Sequence, residues 1–166
     1  MTKNIKTINL TRPTLGKEEF EAVFEVLKSD WLIRGRQCIA FEEEFAKFIG
    51  SKYAVATNGC TMALYLALKK LNLKPNDEVI VPSITWTATA AVVVHAGAKP
   101  VFADVDFQTG NIDPKKIEDR ITKKTKAILV VHIFGQSADM NPILKIAKKH
   151  KLKIIEDACE AICAEH

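Results

Sequence analysis

From about residue 52 the sequence alternates two textures, and the alternation leaves few architectures open. Short, continuously apolar runs come at "YAVAT" (53–57), "EVIVP" (78–82), "PVFADV" (100–105), "AILVV" (127–131) and "KIIED" (153–157). A strand with one wet face alternates polar and apolar residues, whereas a strand covered on both faces reads as an unbroken apolar run. Between the runs lie segments of helical character: "TMALYLALKKLN" (61–72), "TWTATAAVVVHAG" (85–97), "PKKIEDRI" (114–121) and "NPILKIAKKHK" (141–151). The last carries Ile143, Leu144, Ile146 and Ala147 at helical spacing, with lysines on the other face. Strands joined by crossovers containing helices pair in parallel. The sequence therefore predicts an α/β fold with a mainly parallel sheet of five strands and helices on both faces.

Two further helices precede this block. "GKEEFEAVFEVLKSD" (16–30) places Phe20, Val23, Phe24 and Leu27 on one stripe, and "CIAFEEEFAKFIG" (38–50) does the same with Phe41, Phe45 and Phe48. With no Pro/Gly/Ser-rich linker, internal repeat or low-complexity stretch, residues 1–50 read as a helical preamble to the same domain as 51–166. A chain of 166 residues with 48% hydrophobic content can bury a core of this kind. Its net charge of +4 is spread over helix faces and turns without interleaved aromatics, which argues against a nucleic-acid partner. The amino terminus "MTKNIKTINL" lacks a signal-peptide core and no run reaches a membrane span, so no membrane partner and a cytoplasmic location are expected. Cys38, Cys60, Cys159 and Cys163 form no CxxC pair and read as reduced thiols. Cys159, Cys163 and His166 fall near one helical face, but three loosely spaced residues read as packing, and no metal site is expected.

In a doubly wound sheet the ligand sits beyond the carboxyl ends of the strands. After the first run, "TNGCTMAL" (57–64) offers a tight turn at Asn58-Gly59 and then a helix start at Cys60, Thr61 and Met62. Free N–H groups there suit a phosphate, with a plain threonine N-cap as the simpler reading. Neither G-x-G-x-x-G after a strand nor G-x-x-x-x-G-K-[ST] is present, so the phosphate belongs to something smaller than a dinucleotide. Trp86 in "PSITWTATAAVVV" (82–94) opens a helix on the ligand side, where an indole either stacks on a flat ring or fills a gap between layers. His132 either enters the same crevice or packs beside it. Glu156-Asp157 ends the fifth run; one of these acids could face a cationic ring nitrogen or simply cap the next helix.

Phosphate turn, aromatic and strand-end acid together resemble the DegT/DnrJ/EryC1/StrS family of pyridoxal-phosphate-dependent sugar aminotransferases. The resemblance runs through "RPTLGKEEFEAVFEVLKSDWLIRG" (12–35), "FEEEFAKFIGSKYAVATNGCTMALYLAL" (41–68), "VPSITWTAT" (81–89), "GAKPVFADVD" (97–106), "KTKAILVVHIFGQSADM" (124–140) and "IIEDACEAICAEH" (154–166). It implies the amino-terminal part of a fold-type I large domain, with residues 51–166 a partial cofactor-binding domain. It implies phosphate binding by Thr61 and the amides of Cys60 to Met62, ring stacking by Trp86, and pairing of Asp157 with the ring nitrogen. Glu160 stands where the family commonly has Gln or His beside the cofactor's phenolic oxygen, and Cys163 where it has Gly; Arg36 replaces a common Pro. The family's Schiff-base lysine lies downstream of "EDA", beyond His166, so no catalytic residue is assigned within the chain, and the 166 residues alone are expected to be inactive. The implied reaction passes an amino group, with glutamate the expected donor, to a nucleoside-diphosphate keto sugar in a homodimeric enzyme. A sugar dehydratase on the same scaffold, an inactive remnant serving binding or assembly, and a cofactor-free α/β ligand-binding domain are the alternatives.

Overall fold

The computed structural model describes residues 8, 9 and 11–165. Met1–Ala56 and Thr57–His166 form two compact units. The first contains α1 (Lys17–Lys28) and α2 (Arg36–Phe48). The Gly16 N–H donates to Glu19 Oε2 at 2.7 Å, closing the start of α1, and this bond holds the Glu19 carboxyl below its ordinary value. Glu42 on α2 accepts from the Ala56 N–H at 2.9 Å and from Arg34 at 2.6 Å, so its carboxyl is likewise lowered, chiefly by the backbone donor. The apolar stripe of α1 is present as predicted, yet α1 buries no residue: Phe20, Val23, Phe24 and Leu27 are all exposed.

The second unit is the α/β sheet. Its elements run α3 (Cys60–Lys70), β1 (Glu78–Pro82), α4 (Thr87–His95), β2 (Lys99–Ala103), α5 (Pro114–Glu118), β3 (Thr125–Val131), α6 (Met140–His150) and β4 (Lys153–Asp157). The strands pair in parallel in the order β2-β1-β3-β4. Alternate residues feed two cores. Val79, Val81, Ala127, Leu129 and Val131 meet α3 and α4 through Leu64, Leu68, Val92 and Val93. Ile80, Ile128 and Val130 meet α5 and α6 through Ile117, Met140, Ile143 and Ala147. Each fully buried aliphatic side chain contributes about 1.5–3 kcal/mol by leaving water, which is why the middle of β1 and of β3 is apolar on both faces.

Local chemistry sets the helix starts. Asp113 caps α5 by accepting from the Lys115 N–H at 2.9 Å, with Pro114 at the first helical position, where its missing N–H costs nothing. α6 ends at Lys151, which has φ 56° and closes the helix in the left-handed region. One expected strand is not formed. Residues 53–57 carry no ladder, and Tyr53 and Val55 are exposed, because an extended run becomes a strand only when a neighbour takes up its backbone groups. The sheet therefore has four strands. No helix of the described residues is long and apolar enough to cross a membrane.

Candidate cofactor cleft

The strand order places the topological switch between β1 and β3, since the chain leaves β1 for β2 on one side and returns to β3 on the other. A cleft of about 490 Å³ opens at the carboxyl ends of these strands, lined among others by Cys60, Thr61, Trp86, Thr89, His132, Phe134, Asp157, Cys159 and Glu160. A larger hollow of about 830 Å³ lies within the amino-terminal unit around Trp31 to Ile39. It gathers none of the strand-end groups, so the chemistry belongs to the cleft.

Asp157 forms the floor. It is 7% exposed, its Oδ2 accepts from Thr89 Oγ1 at 3.2 Å, and its Oδ1 accepts from the Cys159 N–H at 3.3 Å. Thr89 is held in turn by Thr85, just before the start of α4, at 2.9 Å between hydroxyls. Among the described residues no lysine, arginine or histidine forms an ion pair with Asp157. A buried carboxyl group served only by neutral donors thus faces the cleft.

Glu156, the neighbouring acid, has a different fate. Buried His132 accepts the Ala138 N–H on Nδ1 at 3.1 Å, which leaves Nε2 to donate to Glu156 Oε2 at 3.0 Å. Both ring nitrogens of His132 are thus engaged, Nε2 with the end of β4 and Nδ1 with the loop before α6, and the imidazole has no free nitrogen for a ligand.

At the other wall, α3 is capped by Gly59 rather than by Thr61, which sits inside the first turn. The Met62 and Ala63 N–H groups both donate to the Gly59 carbonyl, at 3.1 and 3.2 Å. Of the predicted phosphate amides, Met62 is therefore engaged, while those of Cys60 and Thr61 have no acceptor among the described residues. Trp86 caps α4 and is 83% exposed, so it does not fill a gap between layers. Glu160 Oε2 accepts from the Phe134 N–H at 2.8 Å, and Phe134 has φ 55° in the single helical turn Ile133–Gly135. The residue thus holds a turn of the cleft wall.

The cysteine expectation is corrected. Cys60 and Cys159 are disulfide-bonded, while Cys38 and Cys163 are unpaired. The start of α3 and the loop after β4 meet at the same sheet end, which brings two residues 99 positions apart to a Cα separation of 6.5 Å. No local spacing could announce that pairing. His166, which would complete a group with Cys159 and Cys163, lies outside the described residues. Thr85 and Thr89 were also missed as site residues, although hydroxyls four apart on a helix of alanine and valine were the available signal.

The sequence profile described as the DegT/DnrJ/EryC1/StrS aminotransferase family matches residues 13–166. The chain is similar to the spore coat polysaccharide biosynthesis protein SpsC of Bacillus subtilis, with 51% identity over 90% of this chain and 39% of that protein. It is 44% identical to the GDP-perosamine synthase of Caulobacter vibrioides, over 98% of this chain and 44% of the other. Among solved structures it resembles NtdA from Bacillus subtilis with bound cofactor PMP (TM-score 0.88, 35% identity, 99% of this chain and 40% of that one). It also resembles a GDP-4-keto-6-deoxymannose-3-dehydratase with a trapped PLP-glutamate geminal diamine (TM-score 0.88, 33% identity, 93% and 42%). The chain spans about two-fifths of the length of these proteins. Pyridoxal phosphate is the cofactor of this fold-type I scaffold, and the donor set fits it: an anion-ready helix start, an exposed indole and a buried acid lacking a cation. By profile, sequence and fold, the chain belongs to the DegT/DnrJ/EryC1/StrS aminotransferase family.

Proposed function

We propose that this chain supplies the phosphate, ring and ring-nitrogen contacts of a pyridoxal-phosphate site in a nucleotide-sugar aminotransferase. The observation that carries the proposal is Asp157: a buried carboxyl group on the floor of the cleft with no cation partner among the described residues. The cofactor, when bound, supplies an electron sink for amino-group transfer. Asp157 would hold the proton on the ring nitrogen, with Thr89 and the Cys159 N–H keeping its carboxyl group aimed. The Cys60 and Thr61 N–H groups and the Thr61 hydroxyl receive the phosphate at the positive end of α3. Trp86 covers one ring face and excludes water from it. Glu160 would act as a positioning residue, fixing the 133–135 turn of the cleft wall against which the cofactor would sit.

The lysine that would attach the cofactor is assigned to sequence outside this chain, as are most sugar contacts. Glutamate as donor, a nucleoside-diphosphate keto sugar as acceptor, a homodimeric assembly and a cytoplasmic setting complete the reading, supported by the sugar-linked relatives. The dehydratase likeness keeps a second reading open: dehydration of the same substrate class, with histidine in place of that lysine.

The test uses pyridoxamine 5′-phosphate, which needs no lysine to bind, and its fluorescence. Asp157→Asn should weaken binding at least tenfold, and Trp86→Ala should do so while Trp86→Phe largely restores it. Unchanged affinity in Asp157→Asn would remove the central contact of the proposal. Glutamate-dependent amination of a nucleoside-diphosphate 4-keto sugar by the gene product that carries this chain then separates aminotransferase from dehydratase.

A further inference from the structure

We propose that Cys60 and Cys159 are a reversible thiol–disulfide pair that controls how firmly the cleft holds the phosphorylated cofactor; this rests on the pyridoxal-phosphate reading of the cleft. The pair is placed unlike a core staple. Both residues line the cleft, Cys60 half-buried and Cys159 exposed, with buried Asp157 beside the pair. Their Cα separation of 6.5 Å lies within the range a disulfide spans without backbone movement.

The bond ties together the two cofactor contacts that must keep their spacing. Cys60 is the first residue of α3, whose free amides face the phosphate, and Cys159 follows Asp157 by two residues. The middle of α3 is anchored by Leu64 and Leu68, but its first turn has no side-chain cap. The cystine is the covalent link that fixes that turn against the end of β4. Reduction removes the link and changes the charge balance as well. Cys60 Sγ lies 3.5 Å from Asp157 Oδ1, so a thiol there donates to the carboxylate and competes with the ring nitrogen for its charge. The oxidised protein is therefore the tight-binding form.

The chemistry needs only a low-molecular-weight disulfide, such as glutathione disulfide, as oxidant. The exposed Cys159 thiolate attacks one of its sulfurs, breaking the S–S bond and releasing one glutathione thiolate. The Cys60 thiolate then attacks Cys159 Sγ and releases the second. Two protein thiols lose two electrons and two protons, and glutathione disulfide gains them as two molecules of glutathione. By linkage, bound cofactor makes the disulfide harder to reduce by the same factor that oxidation tightens binding.

The experiment equilibrates the unmutated protein in glutathione redox buffers, quenches with acid, alkylates and maps peptides by mass. The expected result is a crosslinked Cys60–Cys159 peptide that titrates reversibly, with Cys38 and Cys163 alkylated throughout. Pyridoxamine 5′-phosphate should bind about tenfold more weakly to the reduced form, and its saturation should shift the midpoint tenfold toward more reducing ratios. Cys60→Ser and Cys159→Ser should each make affinity independent of the buffer. Alkylation of both thiols at every ratio overturns the proposal, as does equal affinity in the two states. A crosslink that titrates while neither state binds the probe overturns the cofactor reading and the proposal with it.

Discussion

Single residues in the cleft divide sharply by whether their chemistry is local. Strand-end position raised Trp86 and the pair Glu156-Asp157, the family resemblance singled out Asp157, and the structure has Trp86 and Asp157 in the cleft lining. The side-chain donor to Asp157 was not legible, because Thr89 is 68 positions away. Thr89→Val keeps the shape and removes the hydroxyl, leaving a buried carboxylate oxygen without its donor. A loss of about 1–3 kcal/mol in urea unfolding is expected, with Thr89→Ser recovering most of it; equal stability of all three would deny the bond any role. Cys163 stands where the family has Gly, and its backbone shows what that departure costs. It has φ 69°, a left-handed conformation costing a residue with a Cβ roughly 1–2 kcal/mol. Cys163→Gly relieves that cost but loosens the unfolded chain, so a net gain of about 0.5–1 kcal/mol is expected. The readout is a higher urea midpoint at unchanged m-value, and a lower midpoint would mean that the turn is not strained.

Elements were readable where a single segment carries its own evidence. β1 was predicted at its observed bounds because an apolar run stands between Asp77-Glu78 and a proline-serine turn. The run at 53–57 has the same texture but forms no strand, since pairing is a property of two segments and only one is visible to a local reading. The connection from β2 to α5 is a case where side-chain chemistry shapes an element unseen in the apolar pattern. Asp106 Oδ1 accepts from the N–H groups of Gln108 and Thr109, both at 3.0 Å, and from Thr109 Oγ1 at 3.2 Å. Gly110, at φ 72°, turns the chain back so that Val105 and Ile112 bridge antiparallel. These donors, the Thr109 N–H foremost, hold the Asp106 carboxyl below its ordinary value of 3.8. A carboxylate with a lowered folded pKa contributes stability that is complete above its unfolded value and is lost as pH falls through the folded one. Asp106→Asn should therefore be less stable than the parent at pH 6, and the gap should narrow below about pH 4 as Asp106 protonates. Thermal midpoints of both proteins from pH 6 to pH 3 check this, and a gap that widens on acidification would contradict the assignment.

At the scale of the molecule, the parallel sheet follows from burial on both faces, and the ligand end of the sheet follows from strand order, so the cleft's position is a consequence of topology. Its occupant is not: an acid, an indole and two amides become a cofactor site only when brought together, and the reaction depends further on what the cleft lacks. None of the residues lining it is a lysine. The lysines of the second unit lie mostly on outward faces, as on α6, where Lys145, Lys148 and Lys149 are exposed opposite buried Ile143 and Ala147. An amine can bond covalently to the cofactor's aldehyde at one defined position only if the cleft holds that aldehyde within its reach, and no such amine is built into this wall. Mixing the protein with pyridoxal phosphate should then give noncovalent occupancy together with scattered, substoichiometric modification of surface lysines. Borohydride reduction followed by peptide mapping distinguishes the cases: label spread over several lysines is expected, and it should be insensitive to Asp157→Asn. One stoichiometrically labelled lysine, lost on that substitution, would show that this chain carries its own attachment residue and would move the catalytic centre into these 166 residues.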